Sequence, residues 1–215
     1  MPTRALVFDF DGTLADTESA VLQSWQETFR DHGTELPLEA WYAVIGTQHT
    51  TVAMFDLLAQ HVPGLDAEAL RPVTRARVLK RLETLEPREG VLDYLDAAFD
   101  RGLKLAVASS SSGAWVNPHL ERLGIADRFH AVLTGDLHAA KPRPDLYLAA
   151  VKALGVEAGE TIAFEDTPHG VTSAKAAGLT CVAVPNSITA TLDFGAADVV
   201  LPSFAAKPLE ELLSE

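Results

Sequence analysis

A doubly wound α/β core carrying an inserted helical cap is the fold this sequence predicts. Three observations predict it. Short apolar runs alternate with amphipathic stretches along most of the chain, the runs are nearly continuous, and one long early segment is helical throughout. Nearly continuous apolar runs belong to strands buried on both faces, as in a parallel sheet. A β-α-β-α series of such strands winds into a Rossmann-like sheet with helices on both sides.

The strand-like runs fall at 5–8, 103–108, 131–134, 161–164, 181–184 and 198–201. Helical patterns occupy 91–101, 114–123, 145–154 and 168–177. Gly102, Gly124, Gly155 and Gly178 follow them, where helix ends favour glycine. From about 19 to 85 the series breaks. Helices are expected at 19–32, 39–45, 50–61 and 67–85, punctuated by Pro37, Gly46 and Pro63-Gly64. This segment reads as an insertion after the first strand, with hinges near 15–18 and 86–90. The expected division is a core of 1–15 and 88–215 and a cap of 16–87.

A chain of 215 residues that is 47% hydrophobic can bury a real core. Its apolar runs fall far short of the ~20 residues needed to span a bilayer, and the first run is too short for a signal peptide. A cytoplasmic protein without a membrane partner is expected, and nothing calls for more than a monomer. The formal net charge of −13 disfavours nucleic acid. It also repels anionic substrates unless positive charge is concentrated locally. Cys181, the single cysteine, reads as a small buried hydrophobe.

Four strand ends carry the chemistry. Asp9-Phe10-Asp11-Gly12-Thr13 follows the first run, and residues two apart on an extended chain point the same way. Asp9 and Asp11 can therefore reach one site at a strand's carboxyl end, where open α/β sheets bind ligands. Paired carboxylates call for a divalent cation, and clustered oxygen donors suit Mg2+. A calcium loop would need acids or amides where Thr13 and Ala20 stand. Ser109 and Ser110 open a Ser/Gly turn whose hydroxyls and N–H groups can hold phosphate oxygens. Lys141, pinned before Pro142 and Pro144, is the local cation; Arg143 and Asp145 serve the loop and the next helix start. Glu165 and Asp166 end the 161–164 run and complete a metal site with Asp9 and Asp11.

In this order the four sites resemble the haloacid dehalogenase superfamily of phosphohydrolases, in its sugar-phosphatase and β-phosphoglucomutase branch. Asp9-x-Asp11-Gly12-Thr13 matches the first motif, Ser109 the second, Lys141 the third and Glu165-Asp166 the fourth. The resemblance implies Asp9 as nucleophile and Asp11 as general acid and base. It also implies Mg2+ on Asp9, the Asp11 carbonyl and Asp166, with Glu165 as a ligand or its neighbour. Ser109 and Lys141 would hold the phosphoryl group of a small phosphorylated metabolite. The helical insertion looks like the family's small cap, and Thr47 and Gln48 in its loop are expected to touch the leaving group. Trp25, Trp41 and Tyr42 are expected mainly to pack helices. Mutases of this branch carry a histidine where Val21 stands, and a cap arginine where this chain reads Gly46-Thr47-Gln48-His49. A phosphatase is therefore expected, with a phosphomutase or a catalytically silent binding module as alternatives.

Overall fold

The computed structural model describes residues 2–47 and 49–214. Its strands are β1 (Ala5–Phe8), β2 (Lys104–Ser109), β3 (Ala131–Thr134), β4 (Thr161–Glu165), β5 (Thr180–Ala183) and β6 (Val199–Val200). They form one sheet in the order β3-β2-β1-β4-β5-β6, with every neighbouring pair parallel. The chain winds from β1 to one edge, returns beside β1 at β4 and winds to the other edge. That reversal opens a crevice at the carboxyl ends of β1 and β4.

Alternation along β1 divides the core. Leu6 and Phe8 face α5 (Val91–Asp100), α6 (Gly113–Arg122) and α9 (Leu209–Leu212), whereas Ala5 and Val7 face α7 (Asp145–Leu154) and α8 (Pro168–Ala176). Phe8 lies in register with Phe164, and their rings stack at 4.8 Å. Tyr94 and Phe204 pack edge-on and tilted against Phe164, at 5.5 Å each. Such pairs add about 0.5–1.5 kcal/mol each beyond the area they bury. This aromatic floor lies just below the carboxyl ends of β1 and β4. The next residues, Asp9 and Glu165, emerge on the opposite face by the strand's period of two.

Between β1 and α5 lie α1 (Thr17–Asp31), α2 (Leu38–Tyr42), α3 (Thr50–His61) and α4 (Ala67–Arg81). They bury Trp25, Phe29, Trp41, Ile45, Met54 and Leu58 against one another. Arg77 and Arg81 of α4 pair with Asp31 and Glu27 of α1. Helix α1 starts two residues earlier than the apolar pattern predicts, because the Asp16 carboxylate caps it by accepting from the Ser19 N–H at 3.0 Å. Helix α4 stops at Arg81 and tightens into a short 3-10 turn over Leu82–Thr84. Helix α2 is shorter than the expected 39–45, and α9 was not foreshadowed by the pattern. The last strand shrinks to two residues. The connectors entering and leaving the helical segment lie side by side: Ala15 pairs with Pro87, and the Arg88 N–H donates to the Leu14 carbonyl at 2.9 Å. Among the described residues no helix is long and apolar enough to cross a membrane.

Candidate active site

Asp9, Glu165 and Asp166 converge in the crevice, with carboxylate oxygens within 4.8 Å of one another and all three side chains buried. The parallel ladder brings them there. The Asp9 N–H extends the β1–β4 pairing by donating to the Phe164 carbonyl at 2.9 Å, so Asp9 sits beside Glu165. Lys141 arrives from the loop between β3 and α7. Its Nζ lies 2.5 Å from Asp9 Oδ1, 2.5 Å from Glu165 Oε1 and 5.3 Å from the centre of the Tyr147 ring. The Lys141 N–H donates to Ser110 Oγ at 3.3 Å, so Ser110 anchors the lysine loop.

Each acid is held closely. Glu165 Oε1 also accepts from Tyr147 Oη at 2.5 Å, and its carboxylate occupies the place where a Cβ on Gly170 would stand. Asp166 accepts from Thr13 Oγ1 at 3.1 Å and from Asn186 Nδ2 at 2.7 Å. A Cβ on Gly12 would collide with Asp166 Oδ2, and Gly12 has φ +83°. Glycine is required there both for the turn and for the close approach.

Charge explains the electrostatics. Burial, then Glu165 and Asp11, push Asp9 up to about 8 against the opposing pull of Lys141. Burial, Asp9, Glu165 and Glu18 likewise raise Asp166 well above the carboxylate range, with Arg88 opposing. Burial alone would lower Lys141, but Asp9 and Glu165 outweigh it and raise the ammonium's pKa. An acid pushed toward neutrality beside a firmly charged lysine looks contradictory for a simple pair. It follows because three buried carboxylates lie together while the ammonium contacts only Asp9 and Glu165, so negative charge is in excess. A divalent cation cancels that excess. The donors are all hard carboxylate oxygens, which suits Mg2+. Glu165 Oε2 is buried without a hydrogen-bond partner among the described residues, so the acidic cluster keeps an unused hard oxygen acceptor. The residues present fit the ion.

Asp11 departs from the expected shared direction of its side chain with Asp9. The strand ends at Phe8, and Asp11 instead bridges to Ala15. Its carboxylate accepts from Thr17 Oγ1 at 2.7 Å, Trp115 Nε1 at 2.8 Å, Ser111 Oγ at 2.6 Å and Ser109 Oγ at 3.4 Å. The side chain of Asp11 thus stands outside the cluster of three acids while lining the same cavity.

That cavity holds about 650 Å³. Asp9, Asp11, Ser109, Ser110, Lys141 and Asp166 form its floor; Val21, Trp25, Thr47, Thr50, Phe55, Arg71 and Arg75 form the opposite wall. Thr47 lines it but turns its hydroxyl to the Val44 carbonyl at 2.7 Å. Gln48 lies outside the described residues. Trp25 both packs helices and lines the cavity; Trp41 is wholly buried in the helical core, and Tyr42 lines a separate 360 Å³ cavity. Glu18, half-buried in the first turn of α1, also lines the main cavity, and burial together with Asp11, Asp9 and Asp16 raises its pKa well above normal. Sequence reasoning missed Thr17, Glu18, Trp115 and Asn186, and took Ser111 only as part of the Ser/Gly turn. Thr17 and Glu18, eight and nine residues after Asp9 at a helix start, carried the one usable signal.

Comparison with known proteins places the chain among relatives. YhcW of Bacillus subtilis (strain 168) is 44% identical over 98% of this chain and 96% of its own length. The fructose-1-phosphate phosphatase YqaB of Escherichia coli (strain K12) is 31% identical over 83% of this chain and 95% of its own. A crystal structure of a CbbY variant from Rhodobacter sphaeroides with xylulose-(1,5)bisphosphate superposes with a TM-score of 0.76 at 28% identity, covering 95% of this chain and 96% of that one. The family model for haloacid dehalogenase-like hydrolases matches residues 6–184, and the chain belongs to that family of enzymes.

Proposed function

We propose that the chain is a Mg2+-dependent phosphatase that hydrolyses a small sugar or polyol phosphate through an aspartyl-phosphate on Asp9. The observation that carries this reading is the buried cluster of Asp9, Glu165 and Asp166 with Lys141, opening onto a metabolite-sized cavity. Asp9, Glu165 and Asp166 would hold the metal, with the Asp11 carbonyl as a further donor. When bound, Mg2+ supplies positive charge that neutralises the acids and the phosphoryl oxygens.

The chain's own groups do the rest. Lys141 and Ser109 hold phosphoryl oxygens. An oxygen of Asp9 attacks phosphorus in line as the ester oxygen leaves. Asp11 gives that oxygen a proton, then takes one from the water that cleaves the aspartyl-phosphate. Thr17, Ser111 and Trp115 set where Asp11 starts. Residues 16–87 act as a cap that closes over the cavity and excludes water. Thr47 and Gln48 are its expected contacts with the leaving group. We place the enzyme in the cytoplasm as a monomer.

Hydrolysis is favoured over isomerisation because apolar Val21 lines the cavity where the mutases carry histidine, and the 46–49 loop has no arginine. The names of two relatives support the substrate class: one is a fructose-1-phosphate phosphatase, and one was crystallised with a sugar bisphosphate. The test is phosphate release from a panel of sugar phosphates, polyol phosphates and phosphoglycolate, with Mg2+ and with EDTA. Release that needs Mg2+ supports the reading. Conversion of a hexose 1-phosphate to its 6-phosphate without free phosphate would replace it with a mutase.

A further inference from the structure

We infer that Asn186 and Arg88, which lie outside the reaction cavity, are positioning residues that aim Asp166 by closing a ring of contacts through the Gly12 turn. Arg88 lies on the connector leaving the helical segment. Its Nη1 donates to the Gly12 carbonyl at 2.6 Å and to the Val184 carbonyl at 2.8 Å, and its Nη2 donates to the Pro185 carbonyl at 2.8 Å. One guanidinium thus fastens the turn after Asp11 to the loop after β5. Asn186 is the next residue of that loop. Its Nδ2 donates to Asp166 Oδ2 at 2.7 Å and, at 3.4 Å, to the same Gly12 carbonyl. Its Oδ1 is occupied by the Ile188 and Thr189 N–H groups at 2.9 and 3.1 Å, so the amide cannot flip. Thr13, adjacent to Gly12, donates to the other oxygen of Asp166 and completes the ring.

A carboxylate gripped on both oxygens from two chain segments, which Arg88 ties to each other, has one orientation left. Outer partners of this kind fix the direction of a metal ligand, and the arginine fork suits three converging carbonyls as a lysine would not. Because Arg88 also donates its N–H to Leu14, the ring is tied to the paired connectors of the helical segment. The inference rests on the proposed metal site.

Titration calorimetry of the full chain with MgCl2 tests it. In N186A the dissociation constant for Mg2+ should rise about 10–100-fold. Its turnover of p-nitrophenyl phosphate should be reduced most at low Mg2+ and should recover in part as Mg2+ is added. R88Q should weaken Mg2+ in the same direction, R88K should recover part of the loss, and the N186A/R88Q double variant should lose less than the product of the singles. An unchanged Mg2+ affinity in N186A overturns the inference, as does a fall confined to the urea midpoint in EDTA. Should R88Q not fold, N186A and R88K carry the same test. A wild-type chain that binds no Mg2+ overturns the metal site and this inference together. A wild-type chain that binds it while N186A binds equally well overturns this inference alone.

Discussion

The two walls of the cavity are built on different terms. On the sheet side, Asp9, Ser109, Lys141 and Asp166 are buried, and each is fixed by partners from distant segments. On the helical side, Thr47 spends its hydroxyl on its own loop, and Arg71 and Arg75 are exposed. Rigid strand ends can hold reacting groups to within a fraction of an ångström, whereas a helical wall can change its lining without disturbing the sheet. The sheet side reads as machinery for a phosphoryl group, and the helical side as the part that meets whatever carries it. Changes on the sheet side should therefore be catastrophic and indifferent to substrate; those on the helical side should be mild and selective.

The largest effect belongs to Asp9. Asp9→Asn should lower kcat on any phosphate ester by about 10⁴-fold or more, since an amide is no nucleophile. The same change should leave the chain at least as stable in EDTA at pH 8, because it removes a charge that the fold disfavours. Activity assays and thermal unfolding of one variant would thus move in opposite senses. A large stability loss in Asp9→Asn would contradict the account of the acid excess.

Lys141 comes next. Lys141→Met should cost about 10²–10³-fold in kcat/KM, the usual price of losing a charge-stabilising donor. It should also destabilise the metal-free chain by about 3–5 kcal/mol, because buried Asp9 and Glu165 lose their counter-ion. Urea unfolding in EDTA measures the second effect. Mg2+ should return part of it, and no recovery with Mg2+ would count against the ion lying among these acids.

How far the sequence reveals these two walls differs for a physical reason. Asp9, Ser109 and Asp166 are legible because strand ends place residues by simple rules, and the parallel order of β1, β2 and β4 brings those ends together; Lys141, in the loop after β3, is legible from the prolines that follow it. Strand alternation also failed locally. It put Asp11 beside Asp9, but the chain turns at Gly12 and the Asp11 carboxylate meets Trp115, 104 residues away. An indole on an amphipathic helix looks like core, and nothing in its spacing marks it as a donor to a carboxylate. Asn186 and Arg88 lie in connectors where no period operates. On the helical side, the direction of Arg71 or Thr47 depends on how four helices pack, which composition does not encode.

A pH series separates the cost of the acids from the rest of the fold. Asp9 has its pKa raised from 3.8 to about 8, and Asp166 shifts in the same direction. Between those limits the native chain keeps a proton that the unfolded chain has released, so the unfolded state gains as pH rises. The stability due to these groups is complete below about 4, declines across the window to about 8 and is gone above it. Lys141, also raised, stays charged in both states throughout that window and adds no slope. In EDTA the melting temperature should therefore fall from pH 5 to pH 8. Mg2+ should raise it more at pH 8, where binding displaces fewer protons. A melting temperature in EDTA that is flat over this range would deny that burial and mutual repulsion hold a proton on these acids.

The smallest effect tests the helical wall. Arg71 lies 5.2 Å from the centre of the Phe55 ring and pairs with Glu68 at 3.3 Å; Arg75 joins it at the cavity. Both are solvent-exposed, so salt screens them and their contribution to binding an anion is modest. Replacing both with glutamine should raise KM for a sugar bisphosphate, whose leaving group carries a second anion, about two- to fivefold, the ratio expected from the small energies of exposed ion pairs. The increase should shrink as salt is added, because only the screened charge has been removed. Turnover of p-nitrophenyl phosphate, whose leaving group carries no second anion, should hardly change. Equal losses on both substrates would mean that these arginines act on the phosphoryl group itself, and the division between the two walls would have to be redrawn.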